Sequence, residues 1–199
     1  MYLEIDYEER NAGIRIWRCR GYGEVLKVPE MLEGKMVTEL APYALSSSRP
    51  AEEPDPSVIK HVVLKPEEKG FGEPSELCGK QLTEVYLPSG LRLIGDYAFY
   101  FCRNLKVIHF HGNIEEVGGG AFMWCRAVEQ ITFHEGGGGG SGWRDCWTGD
   151  LRQYTAPDGF TACVTNAQGE TFSVPLTPRY TTPDGGSFSL APEREEVLP

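Results

Sequence analysis

The sequence repeats itself every 23 residues, and this constrains the fold more than anything else in it. LTEVYLPSGLRLIGDYAFYFCRN begins at Leu82, LKVIHFHGNIEEVGGGAFMWCRA follows without a gap at Leu105, and a third copy opens at Val128 with VEQITF and breaks off. Leu82, Leu105 and Val128 align, as do Val85, Ile108 and Ile131, then Leu87, Phe110 and Phe133. Further along, Leu91 matches Ile114, Ile94 matches Val117, Gly95 matches Gly118, Ala98-Phe99 matches Ala121-Phe122, and Cys102 matches Cys125. A unit this short cannot bury its own apolar side chains, so successive copies must stack and share one core.

Weaker copies extend the frame towards the N-terminus. Ile59, Val62 and Leu64 precede Leu82, Val85 and Leu87 by one period, and the remainder of that unit, LKPEEKGFGEPSELCGK, is degenerate. Leu26 and Val28-Pro29 resemble Val85 and Leu87-Pro88, and Tyr43-Ala44-Leu45 resembles Tyr97-Ala98-Phe99. Glu33-Gly34-Lys35 reads as part of an insertion, and the polar, Pro-rich 46–56 as a loop. Rungs are therefore expected near 25–45, 59–78, 82–102, 105–125 and 128–135. Units starting at Ile59, Leu82, Leu105 and Val128 are expected in one parallel stack.

Within a unit, Leu-x-x-Val-x-Leu predicts a short strand with Val85 and Leu87 inward and Glu84 and Tyr86 outward. Pro88-Ser89-Gly90 turns the chain. Ala98-Phe99 is expected on the far side in one or two helical turns. Cys102 then closes the unit as a small buried hydrophobe. Cys102 and Cys125 are expected to be free thiols in a column, kept inert by burial.

LPSGLRLIGDYAFYFC (87–102) and FHGNIEEVGGGAFMWC (110–125) resemble the BspA-like type of bacterial leucine-rich repeat, whose pattern is strand, Pro turn, Ile-Gly, Ala-Phe, then Cys. The second copy lacks the Pro. VPEMLEGKMVTELAPYAL (28–45) is similar to the longer form found at the start of such arrays. The resemblance covers residues 14–135. It implies a parallel-stacked solenoid that serves as a binding scaffold, often on bacterial cell surfaces, and it implies no catalytic residues.

The composition changes at Gly136. GGGGGSG (136–142) reads as a flexible linker. Beyond it Tyr154-Thr155-Ala156-Pro157-Asp158-Gly159 recurs as Tyr180-Thr181-Thr182-Pro183-Asp184-Gly185, and Pro-Asp-Gly is a turn. LRQYT (151–155), FTACVT (160–165) and ETFSV (170–174) read as strands of a small antiparallel segment that either stands alone or caps the solenoid. The expected fold class is thus an α+β repeat. A leucine-rich-repeat solenoid over 1–135 leads through the linker at 136–142 to a β-rich segment over 143–190 and a disordered tail over 191–199.

Charge and segment type narrow the function. With 29 acidic against 19 basic residues, a net charge of −10 repels phosphate backbones, which argues against a nucleic-acid partner. No apolar run approaches the ~18 residues of a membrane span. MYLEIDYEERNAG is acidic and alternating, unlike a signal peptide. The expectation is a cytoplasmic chain as written, and a cell-surface one if it is a piece of a longer chain. Six cysteines with no CxxC pair and no export signal point to reduced thiols.

Few residues suggest chemistry. His109, His111 and His134, with Glu135, offer the only histidine grouping with a zinc-like look, but no local metal signature accompanies it, so no metal is assigned. Gly118-Gly119-Gly120 has no following Lys, and no GxSxG or HExxH motif occurs, so no catalytic residue and no cofactor is assigned. In WRDCW, Trp143 and Trp147 read as anchors docking the C-terminal segment. The principal expectation is a non-catalytic scaffold that binds another protein through outward strand positions Glu84, Tyr86, Val107, His109, Gln130 and Thr132, with His61 and Val63 on the degenerate rung. The alternative is a carbohydrate- or surface-binding module centred on Trp143, Trp147 and the Tyr154 and Tyr180 turns. An enzyme carried by 143–199 has no motif in its favour.

Overall fold

A computed structural model describes residues 2–48, 53–69, 74–76, 81–112, 114–128, 130–133, 160–165, 171–176, 179–181 and 187–189. The linker 136–142, LRQYT, Trp143, Trp147, Tyr154, His134 and the tail 191–199 lie outside the described residues.

The chain opens with an antiparallel hairpin. Strands β1 (Leu3–Arg10) and β2 (Gly13–Gly21) pair from Leu3 with Gly21 to Arg10 with Gly13. Both alternate in the two-residue period of a half-buried sheet, so Leu3, Ile5 and Tyr7 enter the core with Ile14, Ile16 and Cys19. The first rung follows: β3 (Val25–Lys27), β4 (Met31–Leu32) and β5 (Lys35–Leu40), then turns through Tyr43-Ala44-Leu45. After the 46–56 loop comes β6 (Ile59–Leu64), then a single 3₁₀ turn (Pro66–Glu68) and β7 (Ser75–Glu76).

The strong repeats each contribute two strands. β8 (Glu84–Leu87) and β9 (Leu93–Ile94) belong to one, β10 (Val107–Phe110) and β11 (Glu116–Val117) to the next, and β12 (Gln130–Phe133) begins the third. Beyond the linker lie β13 (Phe160–Thr165), β14 (Thr171–Leu176), β15 (Arg179–Thr181) and β16 (Ser187–Ser189).

Among the described residues these strands form two main sheets. The front sheet runs β14-β13-β12-β10-β8-β3, parallel from β3 to β13 and closed by antiparallel β14. Its register sets Glu84, Val107 and Gln130 side by side, and likewise Tyr86, His109 and Thr132. The second sheet runs β11-β9-β5-β2-β1-β6, with β4 on β5 and β7 on β2. β15 and β16 pair antiparallel by themselves. Between the sheets, Val85, Leu87, Ile108 and Phe110 meet Leu40, Ile94 and Val117, and Phe99 and Phe122 fill the space behind. Each such side chain contributes about 1.5–3 kcal/mol by leaving water.

Three expectations need correction. The rung at 59–78 does not form: β6 pairs antiparallel with β1, Ile5 opposite Val62 and Leu3 opposite Leu64. The place beside β8 is taken by β3, with Leu26 next to Val85. Val62 and Leu64 therefore pack on the core from the hairpin's edge, and His61 sits 2.7 Å from Asp6 rather than on the repeat face. The β1–β2 hairpin lies inside the second sheet, between β5 and β6.

The helical contribution expected of an α+β repeat is also missing, since the described residues contain no α-helix. The backbone explains this. In the far-side turn, Tyr97, Phe99 and Phe101 donate their N–H groups to Gly119, Ala121 and Met123 of the next unit, at 3.1, 2.7 and 3.0 Å. The alternating Ala98, Tyr100 and Cys102 donate to Gly95, Tyr97 and Phe99 three residues back. Every second donor is spent between units, so no i→i−4 ladder can run. Such turns need left-handed residues. Tyr43, Tyr97 and Gly120 hold one position at φ 58°, 54° and 65°, and Phe101 and Trp124 hold another at 67° and 68°.

The third correction concerns Cys102, which is disulfide-bonded rather than free. Disulfide connectivity depends on which thiols the fold brings together, so spacing alone gave no sign of it. Cys125 is a buried thiol outside any disulfide, and its Sγ donates to the Phe99 carbonyl at 3.1 Å.

Candidate functional site on the front sheet

The outward side chains of β8 and β10 form a joined cluster. Parallel pairing in register brings Tyr86 beside His109, and their rings stack with centroids 4.0 Å apart and planes 7° from parallel. Glu84 ties the two together. Its Oε1 accepts a hydrogen bond from the Tyr86 hydroxyl at 2.6 Å and lies 2.8 Å from Nε2 of His109. On the other flank, Lys27 Nζ of β3 stands 5.1 Å from the Tyr86 ring centroid, a cation–π distance. His111 lies 6.1 Å from the same ring.

These contacts shift the ionisable groups in consistent directions. The hydroxyl of Tyr86, then the imidazole of His109, stabilise the Glu84 carboxylate and hold its pKa below the usual value. The same bond to Glu84, with burial, raises that of Tyr86. Burial first, and His109 second, lower that of His111. At neutral pH the cluster therefore combines an ionised carboxylate with a neutral phenol and a neutral His111.

The six expected site residues are placed as follows. Glu84, Tyr86, Val107, His109 and Gln130 are half-buried on the outer face of the front sheet. Thr132 is only 5% exposed, with Gln130 Nε2 donating to its Oγ1 at 3.1 Å, so it offers no surface to a partner. β13, from the segment expected either to stand alone or to cap the solenoid, continues the sheet beside it. Sequence reasoning put Glu84 and Tyr86 in neighbouring columns. It missed the hydrogen bonds that join them, and it missed Lys27, whose rung was not assigned as the neighbour of β8. The pairing of Val25-Leu26-Lys27 with Glu84-Val85-Tyr86 supplies that link.

The described residues hold no group of three His, Cys, Asp or Glu side chains placed to bind a metal. They include no helix long and apolar enough to cross a membrane. Residues 74–137 match the family model for the BspA type Leucine rich repeat region (6 copies). Over these residues the chain is similar to BspA-type leucine-rich repeats. The matched span contains β8 and β10, and so the Glu84–Tyr86–His109 cluster is built on the BspA-type repeats themselves. No curated protein and no solved structure matches the chain significantly.

Proposed function

We propose that the chain is a non-catalytic interaction module that binds another protein through the outer face of the front sheet. The observation that carries this reading is the Tyr86–His109 stack locked by Glu84. It is a half-buried aromatic surface already held in place, so docking on it costs little side-chain entropy. Tyrosine is enriched among the residues that dominate binding energy, which makes Tyr86 the expected anchor. Val107 and Gln130 extend the surface along the next column, and Lys27 adds a charge at its edge. Leucine-rich repeats generally serve as interaction modules, which agrees with this reading.

The location is proposed with it. Disulfides persist in oxidising compartments, so the bond at Cys102 favours a cell-surface setting over a cytoplasmic one.

Two double variants test the reading. Tyr86→Ala with His109→Ala should fold and lose a protein that the wild type captures and mass spectrometry identifies. If that pair captures normally while Trp143→Ala with Trp147→Ala loses capture, the repeats are only a support. Binding of the second pair's wild-type surface to a glycan array would then favour carbohydrate.

A further inference from the structure

A second surface lies on the other sheet, away from the Tyr86 cluster. Strands β5, β9 and β11 run parallel there, and their register sets Glu39, Leu93 and Glu116 in one outward row. A cleft of about 550 Å³ opens across the three strands. Its floor is apolar, made by Met36 and Leu93, with Gly90 between the walls. A Cβ at Gly90 would lie 2.7 Å from Met36 Cε and 3.1 Å from the Val37 carbonyl oxygen, so the Met36 tip would have to shift to admit it. Met36 is 38% exposed, one of four exposed large apolar residues among those described, and its flexible thioether adapts to varied partners.

The rim is acidic. Glu39, Glu115 and Glu116 line the cleft against a single guanidinium, Arg92. Arg92 lies 3.5 Å from Glu115, and Arg15 pairs with Glu39. Glu116 is exposed and outward, with no ion-pair partner among the described residues. The backbone is shaped locally as well. β2 and β5 slip register between Ile14 opposite Val37 and Arg15 opposite Glu39, which leaves Thr38 as a bulge at the cleft wall. Bulges of this kind gather beside functional sites because they re-aim neighbouring side chains.

We propose that this cleft docks an extended basic segment of a partner protein, with an apolar side chain seated on Met36 and Leu93 and lysines or arginines facing Glu115 and Glu116. An apolar floor under an acidic rim selects that alternation. A purely acidic segment is repelled, and a purely basic one leaves the floor wet. Rim charges set the rate and salt dependence of docking, while the floor sets how long the segment stays.

The test uses the full chain and a fluorescent peptide of alternating lysine and leucine, followed by anisotropy. The wild type should bind it, more weakly as salt is raised, and should not bind the peptide with leucine replaced by alanine. Glu115→Gln with Glu116→Gln should weaken binding about threefold or more, as loss of two exposed charge pairs does. Glu24→Gln with Glu67→Gln removes the same charge from other exposed positions and should leave binding unchanged. Tyr86→Ala with His109→Ala should also leave it unchanged, which separates this cleft from the front-sheet reading. Equal weakening in both glutamate pairs, or binding that ignores the leucines, would show general attraction to an acidic chain and overturn the proposal.

Discussion

The repeated region, residues 82–128, and the N-terminal region, residues 2–64, bury their apolar residues by different rules. In the first, each unit hands its backbone donors and its side chains to a similar neighbour: Phe99 stacks on Phe122 at 4.8 Å, and Tyr97 N–H reaches Gly119 O. In the second, strands close on each other antiparallel, and β1 is flanked by β2 and β6. The first rung, residues 25–45, belongs to both. Its β3 joins the stack through β8, and its β5 joins the hairpin through β2. A repeat array cannot end on a bare apolar rung, and here an antiparallel hairpin supplies the end that repetition cannot.

The largest expected effect tests the stack. Phe122 is fully buried against Phe99, so Phe122→Ala should cost about 3–5 kcal/mol of unfolding free energy in a urea titration. A cost below 1 kcal/mol would mean that the neighbouring units close over the gap. Ile16 tests the hairpin. It is fully buried on β2, and Ile16→Ala should cost about 2–5 kcal/mol. Because β2, β5 and β9 share one sheet, both variants should shift a single cooperative transition. Two separate transitions, one of them unmoved in each variant, would make the regions independent and dissolve the shared rung.

A third substitution probes the joint between them. Gly95 passes so close to the first rung that an added Cβ would lie 2.6 Å from the Ala41 carbonyl carbon and from the Pro42 nitrogen. Backbone cannot step aside as a side-chain tip can. Gly95→Ala should therefore cost about 1–3 kcal/mol, as overpacking does. A neutral result would show that the first rung rests loosely on the second.

Much of the repeated region was legible because one period fixed strand, turn and core at once. Val85, Ile108, Phe99 and Phe122 follow from the frame without knowledge of any neighbour. The segment Ile59–Leu64 misled for the converse reason. A six-residue run with four apolar positions specifies a strand but neither its direction nor its partner, and the stronger claim of Leu26 on Val85 rested on only three residues. The hairpin had a signal that the frame obscured: residues 3–10 and 13–21 both alternate, across a two-residue connection at Asn11-Ala12. At the site, the column of Tyr86 and His109 was legible from register alone. The hydrogen bonds through Glu84 depend on rotamers, and the burial of Thr132 accompanies a strand some thirty positions away, so neither could be read from spacing.

The smallest expected effect concerns how the N-terminal region is held at its rim. Where the repeats use stacking, three strands there converge on one carboxylate. Glu9 at the end of β1 accepts from Lys35 of β5 at 2.6 Å and from Lys60 of β6 at 2.5 Å. Those two hydrogen bonds lower its pKa from 4.5 to about 2. A carboxylate whose pKa is lower in the folded state contributes stability that is fully present above its unfolded value and is lost as the pH falls through the folded one. The contribution should thus be complete above pH 4.5 and disappear between there and pH 2. Glu9→Gln lacks the charge throughout. In urea titrations across pH, the midpoint of the wild type should exceed that of the variant by a constant amount above pH 4.5, and the two should converge as the pH drops towards 2. The group is exposed, so 1 M salt should narrow the gap at every pH. A gap that persists unchanged at pH 2 would show that Glu9 holds β5 and β6 by packing rather than charge, and the contrast between a stacked region and a charge-tied one would fail at this corner.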